Sequence, residues 1–303
     1  MLGKSPLRHL KESYILYLML IPGIIYYILF HYTPMYGILI AFKDFNIFKG
    51  FAESAWAGLD NFRYLFSLPE FYQVLRNTLM LNLLSLVFGF PAPIIIALLV
   101  NEITHKRLSS VLKSTLYLPH FFSWIVIGGI IVNLLSPKYG IVNAVLQDLG
   151  LPTVFFLGEE HWWVFSYVFS GIWKEAGWGA IIYIAALAGI DSELYEAARI
   201  DGANRWKQTL HVTLPGLKPT IVIMLILKLG QIMEIGFEQP FVLSNPLVYD
   251  ISDVISTYIY KVGILQSKFS LTTAMGLFQS LIGFIMIVSA NRFIKKLGEE
   301  GLF

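Results

Sequence analysis

The sequence of 303 residues contains no cysteine, which excludes disulfide bridges, thiolate metal sites and cysteine nucleophiles. It is also poor in charge. Asp, Glu, Lys and Arg make up 14% of the chain, against roughly 25% in a soluble domain, which needs them to cover its surface. The net charge is only +2 and no dense basic stripe occurs, so nucleic acid is not an expected partner. The motifs of catalysis are missing as well. There is no G-x-x-x-x-G-K-[ST] loop to cradle nucleotide phosphates, no G-x-S-x-G elbow and no H-E-x-x-H pair. The six histidines show no ligand spacing, so no metal site is expected. A membrane-embedded enzyme would need a cluster of His, Asp or Ser at one face, and a channel would need a pore ring or filter loop; neither pattern occurs.

What the chain has is apolar surface: 56% of residues are hydrophobic and 15% aromatic, with a mean hydropathy of +0.66. Most of its exterior must face something other than water. A bilayer core of about 30 Å requires roughly 20 mainly apolar residues in a helix. Stretches of that kind lie at 14–32, 78–100, 117–135, 162–190, 217–237 and 271–290. Because lipid forbids unpaired backbone groups, they are read as helices, giving an all-α integral membrane fold of about six crossings. The second holds Phe90-Pro91-Ala92-Pro93, an expected bend. The fourth exceeds one crossing and holds Gly171, Gly177 and Gly179, so it is expected to kink, tilt or leave the lipid. The first has a basic flank (Lys4, Arg8, Lys11), but His31-Tyr32-Thr33-Pro34 follows it without a small-x-small cleavage site; it is read as a retained helix.

Lys and Arg asymmetry orients the chain. With the N-terminus inside, the inner segments hold the clusters Lys4–Lys11, Lys106–Lys113, Arg199–Lys218 and Arg292–Lys296, while the longer outer segments hold scattered single cations such as Lys43, Arg63, Lys138 and Lys261. Both termini are therefore expected in the cytoplasm. The outer loop 33–77 opens with the apolar 35–42 and ends with Asn61-Phe62-Arg63-Tyr64-Leu65-Phe66, read as short helices lying in the interface. The chain accordingly divides into 1–70, an N-terminal crossing with an outer interfacial segment, and a core of 71–296.

Ionisable residues inside crossings are the next signal, since each costs about 2.5–3.5 kcal/mol at mid-bilayer on insertion scales. They are Lys174 and Glu175 in the fourth, and Lys228 and Glu234 in the fifth. Adjacent helical residues point about 100° apart, so Lys174 and Glu175 are not expected to pair with each other. Each faces protein or a water-filled cavity, or is neutralised by a neighbouring helix. His31 and His120 are read as packing or interface residues.

The most informative segment is the inner loop 191–218. Asp191 or Ser192 can cap a helix in which Glu193 and Glu196 sit early, where the dipole favours carboxylates. Gly202 can end it. Residues 203–212 can form a second helix, and Leu214-Pro215 marks a turn into the fifth crossing. Ala197 and Ala198 would let another backbone approach closely, while Glu196, Arg199 and Asp201 offer charges for register. An ordinary polar interhelical loop is the alternative.

The spacing Glu196-Ala197-Ala198, Gly202, Val212 and Leu214-Pro215 resembles the Glu-Ala-Ala loop of inner-membrane permeases in binding-protein-dependent ABC importers, with valine in place of the commoner isoleucine. The run Tyr195-Glu196-Ala197-Ala198-Arg199-Ile200-Asp201-Gly202-Ala203 is similar to the carbohydrate-uptake branch, and the likeness extends in span order over 61–296. The resemblance implies the type I ABC importer permease fold, with this loop as a coupling helix in the groove of a cytoplasmic ABC ATPase dimer that binds ATP and Mg. Glu196 would then pair with a basic groove residue, Ala197 and Ala198 would seat the helix, and Gly202 would form the bend. It implies further partners: a second homologous permease, an extracytoplasmic solute-binding protein and membrane lipid, at the bacterial cell membrane. The chain itself would hold no cofactor and catalyse nothing.

For the substrate, the resemblance favours a sugar, oligosaccharide or polysaccharide fragment, with amino acids or peptides as the alternative. Asn245-Pro246 and the following Val248-Tyr249-Asp250 point the same way. Related sugar permeases contact substrate through an aromatic a few residues after a tryptophan in the fourth crossing; Trp178, after Trp173, is the matching position. Gln231 and Glu234 fall in the region that supplies polar contacts. The implied pathway thus comprises Trp173, Lys174, Glu175, Trp178, Gln231 and Glu234, with interfacial anchoring or core filling as the alternative for either tryptophan. Lys228 reads equally as a packing contact to the second permease.

Overall fold

A computed structural model describes residues 14–296. Lys4, Arg8 and Lys11, which enter the orientation argument, lie outside the described residues. In chain order the helices that matter are α1 (Tyr14–Phe42), α2 (Asp60–Ser67), α3 (Pro69–Asn101), α4 (Lys106–Phe121), α5 (Trp124–Leu134), α6 (Ile141–Asp148), α7 (Glu160–Ala188), α8 (Ser192–Ile200), α9 (Arg205–Gly230), α10 (Glu238–Leu243), α11 (Ile255–Tyr258) and α12 (Phe269–Lys296). Helices α1, α3, α9 and α12 are each long and apolar enough to cross a membrane. Two bent pairs, α4 with α5 and α7 with α8, bring the total to six if each counts as one crossing. The exception to an all-helical fold among the described residues is a two-residue antiparallel ladder, β1 (Lys43–Asp44) on β2 (Ala55–Trp56).

The structure corrects the expected crossings in four places. The third is not one helix over 117–135: α4 and α5 meet at a bend of 100°. Phe122 is extended there, and the Ser123 hydroxyl accepts from Val126 N at 3.4 Å, capping a new helix. The first crossing does not stop at residue 32. It runs to Phe42, tightening to a 3₁₀ turn over Tyr36–Phe42 that packs on α12, so 35–42 is not a separate interfacial helix. The fifth ends at Gly230 rather than 237, as described below. Finally, Leu214-Pro215 is no turn, because α9 passes straight through it.

That last correction has a general cause. Proline lacks an N–H and its ring clashes with the carbonyl of the preceding turn. Here the helix accommodates it by widening first. The π-helical turns Ile28–Tyr32, Ser85–Gly89 and Thr209–Thr213 stand immediately before Thr33-Pro34, Phe90-Pro91 and Leu214-Pro215. The chain thus stays helical at all three prolines.

Packing is built for lipid rather than water. Between membrane helices the hydrophobic effect supplies no drive, so close approach and satisfied polar groups must hold the bundle. Gly177 of α7 sits so close to the α4 backbone that an added Cβ would fall on the Leu116 carbonyl. Around α7 lie two apolar clusters, Leu81, Ile127, Trp163, Tyr167 and Leu243 toward one end and Ala97, Ala180, Tyr183, Leu187 and Leu217 toward the other. A third joins Leu65, Phe71, Met233, Ile255 and Met275. Buried amides on α3 close exposed backbone: Asn77 Nδ2 donates to the Asp250 and Asp253 carbonyls, both at 2.9 Å, and Thr78 Oγ1 accepts from Ile255 N.

Candidate functional site

The fifth crossing ends in a break. After Gly230 the chain leaves the helix, passes through Gln231 to Phe237 and resumes as α10. Non-helical backbone at such a position is tolerated only where protein satisfies it or where it lines a cavity. Both conditions hold. Asn82 Nδ2 donates to the Ile232 carbonyl at 2.8 Å, and Gln279 Nε2 donates to the Met233 carbonyl at 2.6 Å. Two cavities flank the break. One, of about 450 Å³, is lined by Trp124, Glu175, Trp178, Tyr183, Lys228, Gly236 and Gln239, with residues of α3 closing it. The other, of about 390 Å³, is lined by Gly230, Met233, Glu234, Gln279, Ser280 and Gly283 among others.

The first cavity carries a connected polar constellation. Lys174 is at the midpoint of α7, with its side chain 7% exposed. Its ammonium donates to the His120 carbonyl at 2.7 Å and lies 3.5 Å from Glu175 Oε1. Neighbours in sequence therefore do pair, contrary to the expectation from helical angles. The long lysine stem bridges the gap because its head is held on the α4 carbonyl, and the Glu175 carboxylate folds back toward it. The other Glu175 oxygen meets His120 Nδ1 at 2.8 Å. The His120 ring in turn stacks on the Trp178 indole, centroids 4.5 Å apart. Helix α4 delivers His120 because Gly177 allows it to cross α7 in contact.

The structure thus brings Glu175 and Trp178 into one cavity, while Lys174 stands behind them. It places Glu234 in the second cavity. Trp173 is exposed and lines neither, sharing a face of α7 with Phe165 and Phe169. Gln231 is exposed in the turn and lines neither. His120 and Gln239 are the residues that sequence reasoning missed. Gln239 Nε2 donates to the Tyr167 carbonyl at 2.8 Å.

At the far end of α7 the chain bends by 72° into α8. Asp191 caps it, its carboxylate accepting from Glu193 N at 2.9 Å. The other end is a Schellman motif: Ala203 N donates to the Ala198 carbonyl at 2.8 Å and Gly202 N to the Arg199 carbonyl at 3.0 Å. Gly202 has φ +75°, which explains the glycine. Asn204 then caps α9, accepting from Lys207 N. The knob is tethered by the Tyr195 hydroxyl on Thr213 Oγ1 at 3.1 Å and by Arg205 on Glu102 at 2.8 Å. It exposes three large apolar side chains: Leu194 is 54%, Ile200 86% and Trp206 69% exposed. Glu196, Ala197, Arg199 and Asp201 are exposed beside them. Leu214 and Pro215 sit behind, in the continuous helix α9. Among the described residues no group of His, Cys, Asp and Glu could hold a metal ion.

A bundle of bent and broken crossings with a short helix projecting at one end defines a membrane permease of the ABC-importer class. The chain belongs to the family of binding-protein-dependent transport system inner membrane components, whose pattern matches residues 71–299. It is 43% identical over 301 residues to protein LplB of Bacillus subtilis (strain 168), covering 99% of this chain and 95% of that one. It is 42% identical over 297 residues to the polygalacturonan/rhamnogalacturonan transport system permease protein YteP of the same organism, covering 98% and 92%. A solved bacterial ABC transporter involved in import of the acidic polysaccharide alginate superposes with TM-score 0.89 at 40% identity, over 97% of this chain and 99% of that chain. The alginate transporter in complex with a pentasaccharide-bound periplasmic protein gives 0.90 at 39%, over 99% and 100%. The fold is that of a type I ABC importer permease.

Proposed function

We propose that this chain is one of two permease subunits that import a saccharide by alternating access, driven by a separate ATPase dimer and fed by an outer solute-binding protein. The observation that carries the reading is the knob formed by α8, a capped and glycine-terminated helix, and the first turn of α9, which expose Leu194 and Ile200 of α8 and Trp206 of α9 to solvent. Three large apolar side chains exposed together on one small knob suit a partner surface. Glu196, Arg199 and Asp201 supply charge for register around it, Ala197 and Ala198 let the groove backbone approach, and Gly202 sets the bend. Leu214 and Pro215, in line with α9, connect the knob to the break beside the cavities. Closure of the ATPases would move α8 and, through α9, the walls of the site. ATP and Mg belong to that partner. In this reading the knob lies on the cytoplasmic side, with both termini there.

Saccharide is favoured by the cavity itself and by the polysaccharide transport of the relatives. Trp178 offers an aromatic face, and Glu175, Tyr183, Lys228 and Gln239 offer polar groups around it, the mix that pyranose rings require. The second cavity, at Glu234, extends the path along the break. In this reading 71–296 form the working core, and 1–70 an anchor. The test is ATP hydrolysis by the purified complex: stimulation by a saccharide-loaded binding protein is expected. Stimulation by amino acids or peptides instead would overturn the substrate class.

A further inference from the structure

We propose that the cavity beside the break selects a carboxylate-bearing saccharide, and that Lys228 is the residue that reads the acid group. The inference rests on the saccharide reading above and narrows it. The acidic and basic side chains that line the cavity are Glu175 and Lys228. They are not equivalent. Glu175 is already engaged, by the Lys174 ammonium at 3.5 Å and by His120 Nδ1 at 2.8 Å. The Lys228 ammonium makes no hydrogen bond or ion pair among the described residues, and the side chain is exposed and lines the cavity. With Lys174 compensating Glu175, the walls carry an uncompensated positive charge.

A free ammonium in the last turn of a membrane helix has a bland explanation: the carbonyl end of α9 favours a cation. That accounts for tolerance of the charge but not for its place on the wall of a cavity that also holds an indole and an amide. An ordinary neutral sugar would leave Lys228 unanswered in a site of reduced dielectric, where an unpaired charge is costly. A uronate would pair with it, and Trp178 and Gln239 would meet the ring and its hydroxyls. Lys228 is thus a specificity residue for anionic oligosaccharides.

The test uses the complete transporter, with its partner subunits and binding protein, in liposomes. The probes are short oligogalacturonates and oligoalginates, each paired with its carboxyl-reduced neutral counterpart. The wild type is expected to import the acid form in preference, and Lys228→Gln to lower acid import by about tenfold or more, the worth of a charge-assisted hydrogen bond, so that the preference for the acid form is lost. Lys228→Arg is expected to keep the preference. Assembly of the variants is checked by copurification, and the wild-type comparison stands even if one fails to assemble. Equal import of acid and neutral forms by the wild type, or a preference that survives Lys228→Gln, overturns the inference and leaves saccharide import intact. Import of no saccharide in either form overturns the saccharide reading and the inference with it.

Discussion

The imidazole of His120 lies parallel to the indole of Trp178, with an interplanar angle of 1° and centroids 4.5 Å apart. The two residues come from α4 and α7, and the same imidazole holds Glu175. His120 therefore positions both a stacking surface and a carboxylate. Replacing it by alanine removes an aromatic contact worth about 0.5–1.5 kcal/mol and frees Glu175. Substrate-stimulated ATP hydrolysis should fall by about tenfold, while basal hydrolysis is retained. Trp178→Ala should abolish the dependence on loaded binding protein; unchanged substrate dependence would remove Trp178 from the site.

At Gly202 the backbone requirement and the docking requirement can be separated. Its φ of +75° strains side chains, yet no atom lies within 4 Å of an added Cβ. Asparagine tolerates this conformation better than other residues. Gly202→Asn should keep most uptake, and Gly202→Val should lose it through strain of about 1–2 kcal/mol. Gly202→Asp adds a carboxylate at the proposed docking face and should uncouple ATP hydrolysis from uptake. Wild-type uptake by Gly202→Asp would contradict the assigned role.

Gly177 is a steric matter. Alanine there drives its methyl onto the Leu116 carbonyl, whereas Gly129 has nothing within 4 Å. Gly177→Ala should lower the unfolding temperature of the detergent-solubilised complex, by an overpacking cost of about 1–3 kcal/mol. Gly129→Ala should leave it unchanged. Equal melting of the two variants would contradict the close crossing of α4 and α7.

The break after Gly230 depends on two amides. Asn82→Leu leaves the Ile232 carbonyl without its donor, and Gln279→Leu does the same to Met233. Each should cost about 1–3 kcal/mol in thermal unfolding. The Arg205–Glu102 pair, with both side chains largely in solvent, should by contrast contribute little.

What was legible in the sequence was local. The 191–218 loop could be read because caps, helix length and a left-handed glycine are set by neighbours in the chain. Asp191, Gly202 and Asn204 do in the structure what their residue types allow. The crossings were legible from hydropathy, but their interruptions were not. Residues 217–237 form one apolar run, and the donors that let it break at Gly230 lie on α3 and α12. The bend before Trp124 was hidden in the same way, since a serine cap between apolar stretches leaves hydropathy almost unchanged. His120 could not be tied to Glu175 because 55 residues separate them and only the crossing at Gly177 joins them. Leu214-Pro215 misled for a different reason: the π turn Thr209–Thr213 carries the helix through the proline, and no residue type announces it.

The central claim is that α8 is gripped by a separate ATPase. The chain has no cysteine, so a single one placed at Ala197 or Ile200 is a clean probe. A short bifunctional thiol–amine crosslinker applied to membranes should join that position to a nucleotide-binding subunit, with a yield that changes when ATP is added. If α8 instead stays freely accessible to a bulky maleimide and crosslinks to no ATPase in any nucleotide state, the account is wrong.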